Sequence, residues 1–480
     1  MFFSKSISKV AFLLAGLVVF FAAAGVARAQ TCEAVPKQIL LDLANQADLP
    51  AIATQYGLDP TPIDQVGTPP TYRMRILDKN PKDPCQIAAD MAGDTRIFQR
   101  ETNRKLRTVE KQGLSWTLGR SWAIGRSWAI GSSAKGYAKQ WFPDIIKLDQ
   151  AHTITKGFMN NPPAGQNPRP IVIAVLDTGI DLSHPVFAGR LVPGYDFVDN
   201  DNDPSEVGVL RQDPVYGHGT HVAGIIAMMA PEAKIMPIRV LDKNGEGDLW
   251  RLKDAIIWAA DPAHSGGADV INLSLGYPPD ITPQSNTFIQ DLTHACDGVP
   301  VPNEQQFPIL SDEILIFAVG AGNGGQIGNG AAKVYPAAER SRTDDNILSV
   351  GSSSRLDTLS LFSTMADARR PTRDRWVRNV APGEEIVSAL PGGGYGLWSG
   401  TSMSTPMVAG ITALVLAVRP INLPGRPASS VVDEVEETGY EWDCELPSRG
   451  IYMETSRVDA FCAVTNNQAC YPADRAICNE

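Results

Sequence analysis

The sequence predicts an α/β fold of three layers, in which a mostly parallel sheet is covered by helices on both faces. From Trp141 onward, short apolar strands alternate with helical segments, an order typical of parallel sheets. The run 171–176 is continuously aliphatic, as expected of a strand that is buried on both faces. It ends at Asp177, and such sheets bind their ligands at the carboxyl ends of the strands.

The remaining elements of this region follow in chain order. The predicted strands are 233–241, 270–275, 314–319 and 347–350. The predicted helices are 217–229, 249–260 and 401–418. The helix 401–418 has no charged residue, so we expect it to be buried on all sides. Its Pro406 lies about one turn in, where a missing N–H costs least.

Length and composition limit the classes of protein. The chain has 480 residues, 43% hydrophobic and 20% charged, which is enough for one large globular domain with extensions. Its net charge of −11 argues against binding of nucleic acid, because such domains are usually basic.

Residues 1–29 are predicted to be a signal peptide. Lys5 and Lys9 precede an apolar run at 10–27, and Ala27-Arg28-Ala29 resembles a cleavage site. The run is long for a signal peptide, so an uncleaved membrane anchor is the alternative. Cleavage is favoured, and it predicts a secreted or periplasmic protein without a membrane contact. Seven cysteines in an exported chain then indicate disulfides, although their pairing cannot be deduced.

Residues 30–139 are predicted to form a separate N-terminal region. Residues 71–77 alternate like a strand, and 86–111 is a charged segment that favours a helix. A six-residue repeat fills 113–130, and as a strand it would place Trp and Ile or Leu on one face. A duplication in an exposed connector is the favoured interpretation of the repeat; a docking ribbon or a processing segment is the alternative. We expect the main domain at 140–464 and a Cys-containing tail at 465–480.

Three polar residues could form a nucleophilic site. Ser402 lies where the helix 401–418 begins, and an alkoxide would be stabilised at the positive end of the helix dipole. A serine hydroxyl needs a base, and that base needs an orienting carboxylate. His218, between two glycines, and Asp177 are the candidates. Taken singly, each has an ordinary structural explanation: an N-cap serine, a structural histidine and a capping aspartate.

Three motifs in chain order strongly resemble the subtilisin-like serine peptidases. They begin at Asp177-Thr-Gly, Gly217-His-Gly-Thr-His and Gly400-Thr-Ser-Met-Ser. The order Asp, His, Ser is the one found with that fold. The resemblance runs over about 140–464 and implies a subtilisin-like α/β fold. It also implies a catalytic triad of Asp177, His218 and Ser402.

The resemblance assigns further roles. Asn323, in Ala321-Gly-Asn-Gly, would donate to the oxyanion together with the backbone N–H of Ser402. The segment Ser274, Leu275 and Gly276 would bind an extended peptide by strand addition. Protein or peptide substrates, and no cofactor for the chemistry, are implied. The N-terminal region would be an inhibitor and folding assistant, an inference from its position alone.

Some features depart from a minimal member of the family. The segment 277–312 is longer than expected and follows the substrate strand. Asp199, Asp201 and Asp203 alternate like a calcium loop but lack the Gly and distal Glu of an EF-hand, so a solvated acidic loop is favoured over structural calcium. The sequence favours an exported endopeptidase. A processing protease of narrow specificity, or a surface or binding protein without turnover, is the alternative.

Overall fold

The structure is a computed structural model, and it describes most of the chain from Cys32 onward as one compact unit. The described residues are 32–67, 69–109, 117–118, 129–130, 132–163, 165–210, 212–277, 315–325, 333–338, 346–366, 375–421, 428–446, 451–467 and 470. The predicted signal peptide, nearly all of 277–312 and most of the tail lie outside this set.

The described elements are short strands and helices along the chain. The helices are α1 (Leu49–Tyr56), α2 (Pro84–Asp90), α3 (Ala134–Ala138), α4 (Phe142–Ile145), α5 (Leu148–His152), α6 (His218–Met229), α7 (Leu249–Ala260), α8 (Thr401–Val418), α9 (Ala428–Glu437) and α10 (Ala460–Thr465). The strands are β1 (Ala34–Leu43), β2 (Asp64–Val66), β3 (Thr71–Arg75), β4 (Ile97–Thr108), β5 (Thr117–Leu118), β6 (Ala129–Ile130), β7 (Phe158–Met159), β8 (Arg169–Pro170), β9 (Val172–Asp177), β10 (Tyr195–Asp196), β11 (Lys234–Arg239), β12 (Glu246–Asp248), β13 (Val270–Leu273), β14 (Leu275–Gly276), β15 (Ile316–Gly320), β16 (Ile347–Ser353), β17 (Asn379–Pro382), β18 (Ile386–Leu390), β19 (Gly394–Trp398), β20 (Tyr440–Leu446) and β21 (Ile451–Arg457).

The central sheet has the order β10-β11-β9-β13-β15-β16-β17-β21-β20 within the described residues. Neighbouring strands run parallel throughout, except for the final hairpin of β20 and β21. Strand β9 lies inside the sheet, with Ile173 opposite Ile235 of β11 and Val270 of β13. The predicted parallel sheet is therefore confirmed.

The two faces of the sheet pack against different helices. Ile173 and Val175 point into a core with α6 and α8, while Val172, Ala174 and Leu176 point into a core with α7. This alternation gives the three predicted layers. Among the described residues, α8 is the one helix long and apolar enough to cross a membrane, and 94% of it is buried inside the protein. Its apolar surface is thus used by the core, as predicted.

The N-terminal region forms a second, antiparallel sheet. Strands β2, β3, β1 and β4 pair in that order, and α1 and α2 pack on them around a small core that includes Ile39, Leu41 and Met74. A disulfide joins Cys32 to Cys85. Another joins Cys462 to Cys470 near the chain end.

The predicted helical character of 86–111 is wrong for most of its length. Helix α2 ends at Asp90, and β4 then runs from Ile97 to Thr108. Strand β4 pairs with β1 of its own region and with β12 and β14 of the main domain. These partners are distant in sequence, so local helix preference was outweighed by pairing that only the folded chain provides.

Two short pieces of the six-residue repeat are described. Strand β5 pairs parallel with β6, and β6 pairs antiparallel with β19. The three Trp residues of the repeat lie outside the described residues, so their place on one face stays a prediction.

Candidate active site

Asp177 and His218 meet at the carboxyl edge of the central sheet. Asp177 is the last residue of β9, and His218 is the first residue of α6. Nδ1 of His218 lies 2.7 Å from Oδ1 of Asp177, and both side chains are buried. Oδ1 also accepts a hydrogen bond from the backbone N–H of Thr178 at 2.7 Å. A buried carboxylate in this position fixes the orientation of the imidazole.

The glycines on either side of His218 allow this approach. Gly217 has φ of +88°, a conformation that few other residues adopt. A Cβ on Gly219 would lie 2.2 Å from the carbonyl oxygen of Gly179. The close backbone approach expected from the sequence is therefore present.

Ser402 lies in the first turn of α8, at the same edge of the sheet. Its Oγ donates to the carbonyl oxygen of Ser274 at 3.3 Å, and Oγ of Ser274 donates to the carbonyl oxygen of Ser402 at 3.2 Å. Ser274 follows β13, which is the neighbour of β9 in the sheet. Asp177 thus ends β9, and Ser402 contacts Ser274, which follows the neighbouring strand β13. The backbone N–H groups in the first turn of a helix lack intrahelical partners, which leaves them able to bind an anion.

Asn323 is anchored to the start of α8. Its Oδ1 accepts hydrogen bonds from the backbone N–H of Thr401 at 2.9 Å and from the hydroxyl of Thr401 at 3.0 Å. The amide oxygen is therefore engaged by Thr401, which makes the NH₂ group the donating end of the side chain. Sequence reasoning missed Thr401, although its place beside Ser402 at a helix start was a usable signal.

The predicted substrate strand already has a partner in the structure. Leu275 pairs antiparallel with Thr108, and Gly276 pairs with Arg107. Strand β4 also pairs antiparallel with β12, so it lies between two edges of the main domain. Neither β4 nor β12 was identified as part of the site, because the pairing joins segments about 140 to 170 residues apart and leaves no local signal.

A second carboxyl group lies beside the Asp177 and His218 pair. Oε2 of Glu206 accepts hydrogen bonds from the hydroxyl of Thr220 at 3.1 Å and from its backbone N–H at 3.3 Å. The pKa of Glu206 is raised to about 7, first by burial and then by the nearby Asp177 carboxylate, and hydrogen bonds from Thr178 and Thr220 oppose this shift. Sequence reasoning did not find Glu206, since it lies in an irregular loop.

The second histidine of the motif has a different environment. His221 stacks on Trp398, with ring centroids 4.3 Å apart and planes 1° from parallel. Burial lowers the pKa of His221 to about 3, so the ring is neutral at ordinary pH. Although His218 and His221 are three residues apart on α6, their side chains serve different partners and do not form a metal pair.

The three aspartates considered for calcium do not converge. Asp199 forms an ion pair with Arg239 at 2.5 Å, whereas Asp201 and Asp203 accept hydrogen bonds from nearby backbone N–H groups. Within the described residues, the only cluster of three or more metal-ligating groups is Cys32, Asp83 and Cys85, and its cysteines form a disulfide. An arginine at the carboxylate of Asp199 does not suit a cation site.

Known proteins resemble this chain over most of its length. Residues 169–438 match the model of the subtilase family. The thermophilic serine proteinase of Bacillus sp. (strain AK1) is 34% identical over 341 residues, which cover 69% of this chain and 68% of that protein. Thermitase of Thermoactinomyces vulgaris is 33% identical over 337 residues, which cover 68% of this chain and 96% of that protein.

The fold also has a solved counterpart. Fervidolysin from Fervidobacterium pennivorans, described as a keratinolytic enzyme related to subtilisin, matches with a TM-score of 0.62 over 91% of this chain and 62% of its own. At 21% identity this likeness shows the fold alone. Together with the family match and the relatives, it confirms the resemblance drawn from the sequence motifs. The chain belongs to the subtilase family and is a subtilisin-like serine endopeptidase.

Proposed function

We propose that the chain is an exported endopeptidase that cleaves protein or peptide substrates through Ser402, His218 and Asp177. The observation that carries the proposal is the buried contact of 2.7 Å between His218 and Asp177, at the sheet edge where Ser402 lies in the first turn of α8. A nucleophile, a base and an orienting carboxylate are the groups that acyl transfer requires.

The proposed reaction has two halves. Ser402 Oγ attacks the peptide carbonyl carbon while His218 takes the hydroxyl proton, and Asp177 stabilises the imidazolium. His218 then gives the proton to the leaving amine, which leaves an acyl group on Ser402. Water attacks this ester with His218 again as the base, and the acid product departs. No cofactor takes part in these steps.

The oxyanion is assigned to Asn323 and to the backbone N–H of Ser402. Thr401 holds the Asn323 amide by its oxygen, which supports a donating role for the nitrogen. Such a donor strengthens its hydrogen bond as negative charge develops, and therefore acts on the transition state more than on the substrate.

The N-terminal region is proposed to inhibit the enzyme until it is removed. Strand β4 pairs with the predicted substrate segment at Leu275 and Gly276 and with β12 on its other edge. A peptide substrate that binds by strand addition needs the same backbone groups. The substrate and the N-terminal region would therefore compete for the backbone groups of Leu275 and Gly276.

Export is proposed from the chain's N-terminus and its disulfides. The basic, then apolar, then small-residue pattern of 1–29 is typical of a signal peptide. The disulfides Cys32–Cys85 and Cys462–Cys470 support an oxidising compartment, because such bonds are rare in the cytosol.

The test uses the purified enzyme and two variants. We expect it to hydrolyse casein and to react with a fluorophosphonate, while Ser402→Ala does neither. Asn323→Ala should still react with the fluorophosphonate at Ser402, but its kcat for casein hydrolysis should be lower by a factor of about 10²–10³. That range was established on subtilisin itself. Casein hydrolysis by Ser402→Ala at the native rate would contradict the assignment.

A peptide-library cleavage profile tests the alternative of a processing protease. A sharp sequence motif in that profile would indicate the protease of narrow specificity.

A further inference from the structure

Glu206 is fixed against the turn that follows Asp177. Its backbone N–H donates to the carbonyl oxygen of Ile180 at 3.1 Å, and the N–H of Ile180 donates to the carbonyl oxygen of Pro204 at 3.0 Å. Gly179, with φ of +106°, lets the two segments meet, because a Cβ there would lie 2.9 Å from the backbone nitrogen of Glu206. Backbone hydrogen bonds therefore set the position of this irregular loop relative to β9.

One threonine of α6 donates twice to the Glu206 carboxyl group. The hydroxyl of Thr220 accepts a hydrogen bond from the backbone N–H of Asp181 at 2.9 Å and donates its own proton to Oε2 of Glu206 at 3.1 Å. The backbone N–H of Thr220 donates to the same oxygen at 3.3 Å. An ionised carboxyl group is a stronger acceptor than a neutral one. These contacts are therefore strongest when Glu206 carries its charge.

Glu206 thereby joins the two elements that carry the catalytic pair. Its backbone is bonded to the turn after β9, whose last residue is Asp177. Its side chain is bonded to Thr220, two residues after His218 at the start of α6. The contact of 2.7 Å between His218 and Asp177 spans the same two elements. A tighter link through Glu206 therefore restrains the catalytic contact as well.

Glu206 faces the titratable groups of three segments. At the end of β9, the Asp177 carboxylate raises the pKa of Glu206, after burial as the larger cause. Before α6, the pKa of Tyr216 is raised first by burial and then by Glu206 and Asp181. On α6, His218 is in contact with Asp177. A negative charge on Glu206 therefore favours a positive charge on the ring of His218.

We propose that Glu206 is a positioning residue for the catalytic pair and acts on His218 through Thr220 and Asp177. Its ionised form holds α6 to the end of β9 and places a second negative charge beside the pair when the imidazolium forms. Its protonated form holds α6 less firmly and adds no charge. The inference rests on the proposed peptidase function and deepens it, because activity then depends on a second ionisation besides that of His218.

The charge of Glu206 changes near neutral pH. Its pKa is about 7 in the folded protein, so the group is mostly protonated at about pH 5.5 and mostly ionised at about pH 8.5. Glu206→Gln cannot ionise and imitates the protonated form at every pH. The ratio of native kcat/KM to variant kcat/KM should therefore grow with pH. A purely structural role would give the same ratio at every pH.

The experiment measures kcat and KM of the purified enzyme between these two pH values, with active sites counted by fluorophosphonate titration. Native kcat/KM should lie within about threefold of that of Glu206→Gln at the lower pH and exceed it at least about tenfold at the higher pH. The change should fall on kcat, because Glu206 acts through His218 rather than through the substrate segment. Glu232→Gln is the matched control, since it removes the same charge from an exposed side chain. Its ratio to the native enzyme should stay near one throughout.

A second variant tests the same ionisation without removing the carboxyl group. The hydrogen bond from Thr220 lowers the pKa of Glu206. Thr220→Val should therefore move the midpoint of the acid limb of kcat/KM upward, by about half a pH unit. A midpoint that stays in place would overturn the inference even if Glu206→Gln did not fold.

The outcomes separate this role from the function on which it rests. A ratio for Glu206→Gln that is the same at both pH values, in an enzyme that fluorophosphonate labels, would overturn the role of Glu206 and leave the proposed function intact. Absence of fluorophosphonate labelling in the native enzyme would overturn both.

Discussion

The central sheet and the N-terminal sheet are stabilised by different kinds of contact. Strand β9 is apolar and buried on both faces. Strand β4 is equally buried along much of its length, yet it carries Glu101, Asn103 and Arg104 in the interior. A buried polar strand requires specific partners, whereas a buried apolar strand requires only neighbours of suitable shape. The position of the polar strand β4 therefore depends on distant partners that only folding supplies. The apolar strand β9 can be recognised from its own residues.

The contact between the two regions is polar as well. Asn103 Oδ1 accepts a hydrogen bond from the backbone N–H of Trp250 at 3.0 Å. Lys253 of α7 is fully buried and donates to the hydroxyl of Thr71. Burial raises the pKa of Asp42 in the N-terminal region, and the ammonium of Lys253 opposes that shift. Apolar packing joins α7 to the sheet beneath it, while hydrogen bonds and charges add to the packing of Leu40 and Leu106 where α7 meets the N-terminal region.

A matched pair of core substitutions tests whether the two regions unfold separately. Ile173 and Ile39 are both fully buried but belong to different clusters. We expect Ile173→Ala and Ile39→Ala each to cost about 2–5 kcal/mol in its own region. In scanning calorimetry of the Ser402→Ala chain, each variant should lower a different transition. Two variants that shift one common transition equally would show that the regions form a single cooperative unit.

Loss of the Cys32–Cys85 disulfide should weaken the N-terminal region alone. The bond closes a loop with a sequence separation of 53. Its removal by Cys85→Ser, with Cys32→Ser to avoid a free thiol, is expected to cost about 2–4 kcal/mol. The transition assigned to the N-terminal sheet should move down in denaturant titrations, with the main-domain transition unchanged. An equal loss in both transitions would contradict the separation.

The smallest effect concerns pH and lies in the main domain. The pKa of Glu206 is about 7 in the folded protein, against an ordinary value of 4.5. Its contribution to stability is thus complete below pH 4.5 and is lost as the pH rises through about 7. Glu206→Gln cannot ionise, so it does not lose stability as the pH rises. The difference between the Tm of the variant and the Tm of the native protein should therefore increase by about 2–4 °C from pH 4.5 to pH 8. Thr220→Val is the control for lost hydrogen bonding. A Tm difference that does not change with pH would contradict the raised pKa.

The sequence was informative where a residue's neighbours along the chain determine its role. The apolar runs before Asp177 and after Ser402 indicated the sheet and the buried helix, and the bounds predicted for α7 and α8 match those observed. The glycines beside His218 predicted close backbone approach. Strand β4 was misassigned because its charged residues favour a helix locally, and its pairing with Leu275 and Gly276 arises only on folding.

Residues that support the site were missed for the same reason. Thr401 and Glu206 act through partners more than ten residues away, namely Asn323 and Thr220. No periodicity or motif links such pairs in a single sequence. The fold could therefore be predicted more completely than the network of contacts around the catalytic groups.

The buried ammonium of Lys253 affects what happens once the N-terminal region departs. A charge removed from water loses hydration worth several kcal/mol, and a partner of opposite charge recovers that loss only in part. When the two surfaces part, Lys253 and Asp42 both regain water. Hydration of these two groups then opposes re-association, so a cleaved N-terminal region would leave more readily than one held by an apolar interface of equal area.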